Sequence, residues 1–214
     1  MPMSVPIRVV AAAVLVAGLV GHGGHAPAEA ETTAPTAQTL DAVNEYFNAI
    51  KTMKGRFVQF GPSGEKTDGQ FAILRPGKVR FHYNDPSTID IIADGTSVAV
   101  RDRKRATQDI WPLKRTPLRF LLSNDIDLTQ DANVTDVDIS SDLVRVTIEE
   151  NTAFGKGRLT MMFDGASHEL KQWNVVDADG LETSVSIYDV RTDEAVDTDL
   201  FEIDYTRILE RSQN

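Results

Sequence analysis

The chain has 214 residues, of which 41% are hydrophobic and 25% charged, with a net charge of −10 and no cysteine. The missing cysteines exclude a disulfide framework, thiolate catalysis, a Cys-ligated metal and a lipidated N-terminal Cys. So acidic a chain offers no general basic face to nucleic acid and suits an anionic bilayer poorly.

Met1 to Arg8 carry one positive charge and no acid, and Val9 to Val20 follow as twelve residues without a polar side chain. That run is too short to cross hydrocarbon, which needs about 20 residues. Ala28-Glu29-Ala30 fits a cleavage site, with Ala26-Pro27-Ala28 as a second candidate. Residues 1–30 are therefore expected to be a removed signal peptide, and Arg8 and Glu29 leave together without changing the charge. Residues 31–38, rich in Pro, Thr and Ala, read as a flexible mature N-terminus. Residues 39–214 read as one domain.

Leu40, Val43, Phe47 and Ile50 form one helical stripe, with Thr39 placed to cap it. Lys51 and Lys54 suit the C-terminal end of that helix, and Gly55 its exit. From Arg56 the period changes to two. Expected strands are 56–60, 70–75, 78–83, 89–93, 97–101 and 106–111, divided by Gly61-Pro62-Ser63-Gly64, Pro76-Gly77, Asp85-Pro86 and Asp94-Gly95. Pro117 to Leu122 is an isolated apolar cluster of helical character. Further strands at 134–139, 143–149, 157–164, 169–177 and 182–190 turn at Asp164-Gly165 and Asp179-Gly180. About eleven sequential strands without intervening helices imply an antiparallel meander that curls into a barrel or part of one.

The apolar face of that sheet includes Phe57, Phe71, Ile73, Val79, Phe81, Tyr83, Met161, Phe163 and Trp173, with Val98 and Val100 beside them. Only two short helical segments are available to cover it. Alternation alone does not distinguish a filled core from a cavity, and filled cores are commoner. By parity Arg75 joins Phe71 and Ile73 on this face, where its five donors need partners. Backbone carbonyls at a helix end would serve, as would a polar headgroup.

Chemistry finds little support. His82 alternates away from Phe81 and Tyr83, and His168 sits in a turn; surface histidines are the simpler reading of both. There is no G-x-S-x-G elbow and no phosphate loop. Asp125, Asp127, Thr129 and Asp131 begin like a calcium loop but lack its Gly and terminal Glu. No catalysis, metal or cofactor is expected. Arg101, Arg103, Lys104 and Arg105 cluster in a hairpin near Lys114 and Arg115, as a solvated loop or a docking patch.

The run Gly69-Gln70-Phe71-Ala72-Ile73-Leu74-Arg75-Pro76-Gly77-Lys78-Val79-Arg80-Phe81, then Tyr83 and Pro86, then Ile91-Ile92-Ala93-Asp94-Gly95, resembles the LolA family of lipoprotein carriers. Phe57-Val58-Gln59 upstream and Thr116-Pro117 with Leu121-Leu122 downstream extend the resemblance to most of the chain, from Leu40 to Phe201. It implies a mainly β (α+β) fold: an incomplete antiparallel barrel of eleven strands, closed by helices around a hydrophobic cavity. The eleven apolar residues named above would then bind acyl chains, Leu118, Leu121 and Leu122 would form the lid, and Arg75 would latch that lid by hydrogen bonds. Arg103, Lys104 and Arg105 would dock a partner, although this loop and Arg80 depart from better-known members. The implied role is a monomeric periplasmic chaperone carrying lipoproteins from the inner to the outer membrane. Its partners would be an inner-membrane lipoprotein-releasing ABC transporter complex and an outer-membrane acceptor or that membrane itself. The alternative is a periplasmic lipid or glycolipid transporter, or a lipid-sensing regulator, on the same fold.

Overall fold

The computed structural model describes residues 34–116, 118–130, 134–152 and 155–206; the expected signal peptide and cleavage sites lie outside them. The first element is the helix α1, Ala34–Ala49. It begins five residues before the expected cap Thr39, so 34–38 is helix rather than flexible chain. Pro35 explains this: near a helix start its fixed φ is already helical and its missing N–H has no intrahelical acceptor to lose. The stripe lies as expected, with Leu40, Val43, Phe47 and Ile50 all buried.

Eleven strands follow, β1 (Thr52–Phe60), β2 (Lys66–Leu74), β3 (Lys78–Tyr83), β4 (Ile89–Asp94), β5 (Ser97–Asp102) and β6 (Thr107–Pro112) forming the first group. After a 3-10 turn at Leu113–Arg115 and the short helix α2 (Leu118–Leu121) come β7 (Val134–Ile139), β8 (Leu143–Thr152), β9 (Gly155–Asp164), β10 (Leu170–Val176) and β11 (Glu182–Thr192). Lys54 and Gly55 are strand residues, not a helix exit. Gly55 sits where β1 bulges against β11, and a Cβ there would meet the Tyr188 carbonyl oxygen at 2.9 Å.

All eleven strands make one antiparallel sheet in the order β6-β5-β4-β3-β2-β1-β11-β10-β9-β8-β7. The first and last strands therefore pair at the centre, and the open edges are β6 and β7. The sheet curls enough for β3 and β10 to meet across its interior, with the Phe81 and Trp173 rings 6.1 Å apart. Phe47 of α1 meets Phe163 of β9 edge-on at 6.2 Å. The segment joining β6 to β7 carries Leu113, Leu121, Leu122, Ile126 and Leu128 into the same apolar cluster as α1 and the concave strand faces. This is an incomplete barrel whose covers are α1 and that connection.

One element went unforeseen. A C-terminal segment with a 3-10 turn at Thr198–Phe201 lies across the outside of β3–β6. Ile203 packs with Ile92, Ala99 and Ile110, Gln108 Nε2 donates to the Asp204 carbonyl at 2.9 Å, and the Tyr205 hydroxyl donates to Asp94 at 2.6 Å.

Candidate functional site

The eleven residues expected to line a cavity share the concave face, and each is at most 6% exposed. Their rings interlock: Phe57 stands edge-on to Phe81 at 5.2 Å and to Tyr83 at 4.9 Å. In this covered form the stripe of α1 fills the space between the walls. Met162, beside Met161, faces outward, because β9 alternates and Met162 pairs with Arg145 and Gln172.

Two polar features interrupt the concave face, at opposite ends. At the end where α1 enters β1, Arg75 is 6% exposed and donates from Nη1 to the carbonyls of Phe47 and, at 3.4 Å, Ile50. Its guanidinium also lies 3.7 Å from the centre of the Phe47 ring. Burial pushes it down to about 10, which leaves it cationic at neutral pH. The resemblance points Arg75 at the Leu118–Leu122 lid, but the acceptors are the unsatisfied carbonyls at the C-terminus of α1, where a cation is also favoured by the helix dipole. The Leu118–Leu122 segment is held by backbone instead: Gly77 N–H, two residues on, donates to the Leu122 carbonyl at 2.8 Å. Gly77 has φ +79°, and a Cβ would meet the Gly95 Cα at 2.6 Å, so this turn admits little else. At the other end, the Tyr83 hydroxyl donates to Gln59 Oε1 at 2.6 Å, both groups being buried.

A second tether escaped the sequence reading. Asn48 donates to the Ile126 carbonyl at 2.8 Å and accepts from the Ile126 N–H at 2.9 Å, while Asn44 Oδ1 accepts from the Leu128 N–H at 3.0 Å. Asn44 and Asn48 are one turn apart on α1, so they face the same way. The available signal was two poor helix formers at helical spacing inside an amphipathic helix. Within the same connection Leu118 is half-buried, and Leu121 and Leu122 are buried.

The basic hairpin divides. Arg103 turns inward, donating to Asp90 Oδ1 at 2.6 Å and to the carbonyls of Ile89, Tyr83 and Ser87 at 2.9, 3.0 and 3.1 Å. With Arg80 and His82 it surrounds Asp90, whose side chain is 1% exposed. Arg103 is therefore a brace of the sheet, not a free docking charge, since the buried Asp90 carboxylate needs cationic partners. Lys104 and Arg105 are exposed. Asp102 orders them from below by accepting both backbone N–H groups. Burial raises the Asp102 carboxyl, but the bonds from Arg105, Thr88 and Lys104 outweigh it and hold the group low.

Among the described residues no three His, Asp or Glu side chains are grouped to hold a metal. Asp127 instead accepts from the Thr129 and Gln130 N–H groups of its own turn; Asp131 lies outside the described residues. A trough of about 560 Å³, lined by Gly55, Arg56, Gln70, Asn84, Asp189, Val190 and Arg191, lies outside the sheet and is lined mainly by polar residues. No described helix is long and apolar enough to cross a membrane.

The model of the outer membrane lipoprotein carrier protein LolA matches residues 48–204. An outer-membrane lipoprotein carrier protein of Halorhodospira halophila is 32% identical over 184 residues, spanning 78% of this chain and 82% of its own length. One from Pseudomonas paraeruginosa is 26% identical over 169 residues, spanning 73% and 79%. A solved LolA superfamily protein of Nitrosomonas europaea has 10% identity and a TM-score of 0.41 over 78% of this chain and 99% of that one.

Proposed function

This chain belongs to the LolA family of outer membrane lipoprotein carrier proteins, and on that premise we propose that it shields lipoprotein acyl chains and ferries them across the periplasm. The cargo would come from a lipoprotein-releasing ABC transporter complex in the inner membrane and pass to an outer-membrane acceptor or to that membrane. Residues 1–30 would be the export signal, and Lys104 and Arg105 the charges that meet a partner. The reading needs no catalysis.

One observation carries it. Between its two polar ends the concave face is apolar surface, yet its covers are tied down by a few polar bonds at their ends: Arg75 to α1, and Gly77, Asn44 and Asn48 to the connection. Each buried CH₂ of an acyl chain is worth ~0.8 kcal/mol, so long chains do not cross water unaided. A hydrogen bond to a charged donor is worth ~1.5–3 kcal/mol, so two from Arg75 can bias a cover between closed and open. Entering chains would displace the α1 stripe and break these bonds; re-forming them would favour release.

The test has two steps. An environment-sensitive fluorescent fatty acid should brighten on binding with little change in strand content; a dye that stays dark at high protein concentration removes the cavity. Arg75→Leu should then fold and accept lipoprotein yet hand it on poorly, because the closing force is gone and apolar surface is gained. A folded Arg75→Leu that has lost cargo binding would make Arg75 a ligand contact and end the latch.

A further inference from the structure

We infer that Gln59 and Tyr83 form a recognition point for the carbonyl group of a bound acyl chain, which fixes the direction in which the chain lies. The inference rests on the carrier reading above.

Both residues belong to the concave face. Gln59 follows Phe57 by two positions on β1, Tyr83 follows Phe81 by two on β3, and the Phe57 and Tyr83 rings are 4.9 Å apart. Tyr83 is 1% and Gln59 5% exposed. If this lining had only to fill a core, Phe and Leu would occupy the same places without burying a hydroxyl and an amide. The pair is satisfied while the protein is covered, since the hydroxyl donates to the amide oxygen at 2.6 Å. That bond leaves the N–H donors of the amide unengaged in it. A purely alkyl ligand would gain nothing from such a pair. An ester or amide carbonyl at the head of an alkyl chain would accept from Tyr83 or from Gln59 in a water-poor setting, where an unmet acceptor is costly.

The position of the pair gives the direction. From Met53 to Gln59 is six residues of β1, ~20 Å at ~3.3 Å per residue. The hydrocarbon of one leaflet, half of a ~30 Å core, is ~15 Å. The concave residues along this stretch include Phe57, Phe71, Ile73, Val79 and Phe81, with Arg75 beyond the far end. One acyl chain therefore fits lengthwise, its carbonyl at Tyr83 and its methyl end toward Arg75. The exposed Lys104–Arg105 turn stands at the carbonyl end, since Arg103 Nη2 donates to the Tyr83 carbonyl oxygen at 3.0 Å. The polar part of the cargo would leave the barrel on that side.

The experiment displaces a fluorescent fatty acid from the purified protein with two competitors of matched length, a methyl ester and an alkane. Tyr83→Phe should weaken the ester about tenfold and leave the alkane within about twofold. Gln59→Leu frees the Tyr83 hydroxyl for the ligand and should tighten the ester alone. A change confined to the ester supports the inference, in either variant should the other fail to fold. Competitors that shift together, or neither shifting, mark the pair as a structural bond and overturn it. A probe that never binds the wild-type protein ends the carrier reading, and this inference with it.

Discussion

On the outside of β4, β5 and β6, Ile92, Ala99 and Ile110 pack under Ile203, and nearby Phe201 is 2% exposed. Asp90, on the same outer face, sits among Arg80, His82 and Arg103. The outside of β8 to β11 is built differently. There Thr147 meets Thr160 at 3.3 Å, Gln172 donates to Asn174 and Ser184 at 2.9 and 3.1 Å, and the Ser186 hydroxyl donates to Gln172 at 2.9 Å. The β4–β6 flank of the sheet is thus sandwiched between two apolar layers, whereas β8 to β11 present a hydrogen-bonded polar ladder to solvent. Both halves contribute to the concave lining. The difference teaches where rigidity lies: the first half bears Arg75 and the Gly77 turn and is braced from outside, so on the proposed carrier reading the covers would open without the frame yielding.

The largest expected effect breaks that brace. Phe201→Ala should cost ~3–5 kcal/mol, the usual loss for a buried phenylalanine, whereas Tyr188→Ala, exposed on β11, should stay within ~0.5 kcal/mol. Urea unfolding of both compares the halves directly. A Phe201→Ala loss under ~1 kcal/mol would mean that the C-terminal segment peels away independently of the sheet.

Next comes charge. Asp90→Ala strands Arg80 and Arg103 around an emptied centre and should cost ~3 kcal/mol. Asp138→Ala removes the exposed Arg145 pair of the other half, worth under ~1 kcal/mol. Thermal melts that lower both equally would erase the distinction.

The covers should respond in rate rather than in global stability. Asn44→Ala with Asn48→Ala removes the α1 tether at ~1–2 kcal/mol, so fatty-acid uptake in stopped flow should quicken by roughly five- to thirtyfold. Unchanged uptake would show that α1 and the connection already move separately.

The smallest effect is acid-dependent. Burial raises the Asp94 carboxyl, but the Tyr205 hydroxyl and the Ser97 and Thr96 N–H groups outweigh it and hold it below the usual range. Its contribution is therefore full above the unfolded value of ~3.9 and is lost as pH falls through the lower folded value. Tyr205→Phe should differ from wild type by ~1 kcal/mol or less at pH 7, and the two should converge under strongly acidic conditions. A constant difference across that range would detach Tyr205 from Asp94.

Strand count, most strand centres and the turns were legible because alternation and turn chemistry are local properties. Phe57 to Phe60, Lys78 to Tyr83 and Asp94-Gly95 state their own conformation, and the stripe through Leu40 and Ile50 states a helix. The buried place of Arg75 followed from parity alone. Its partner did not, since an arginine on the concave face does not say which carbonyls lie within reach, and the closing of α1 over the sheet supplied them. For the same reason Arg103 read as surface charge until β3 and β4 brought Asp90 beneath it. Nor does a continuous run such as Ile89-Asp90-Ile91-Ile92-Ala93 say what covers its second face. The segment that does so lies about a hundred residues later in the chain, and the pairing of β1 with β11 spans a similar distance. Contacts of that range are decided by complementary surfaces in three dimensions, which no local pattern encodes.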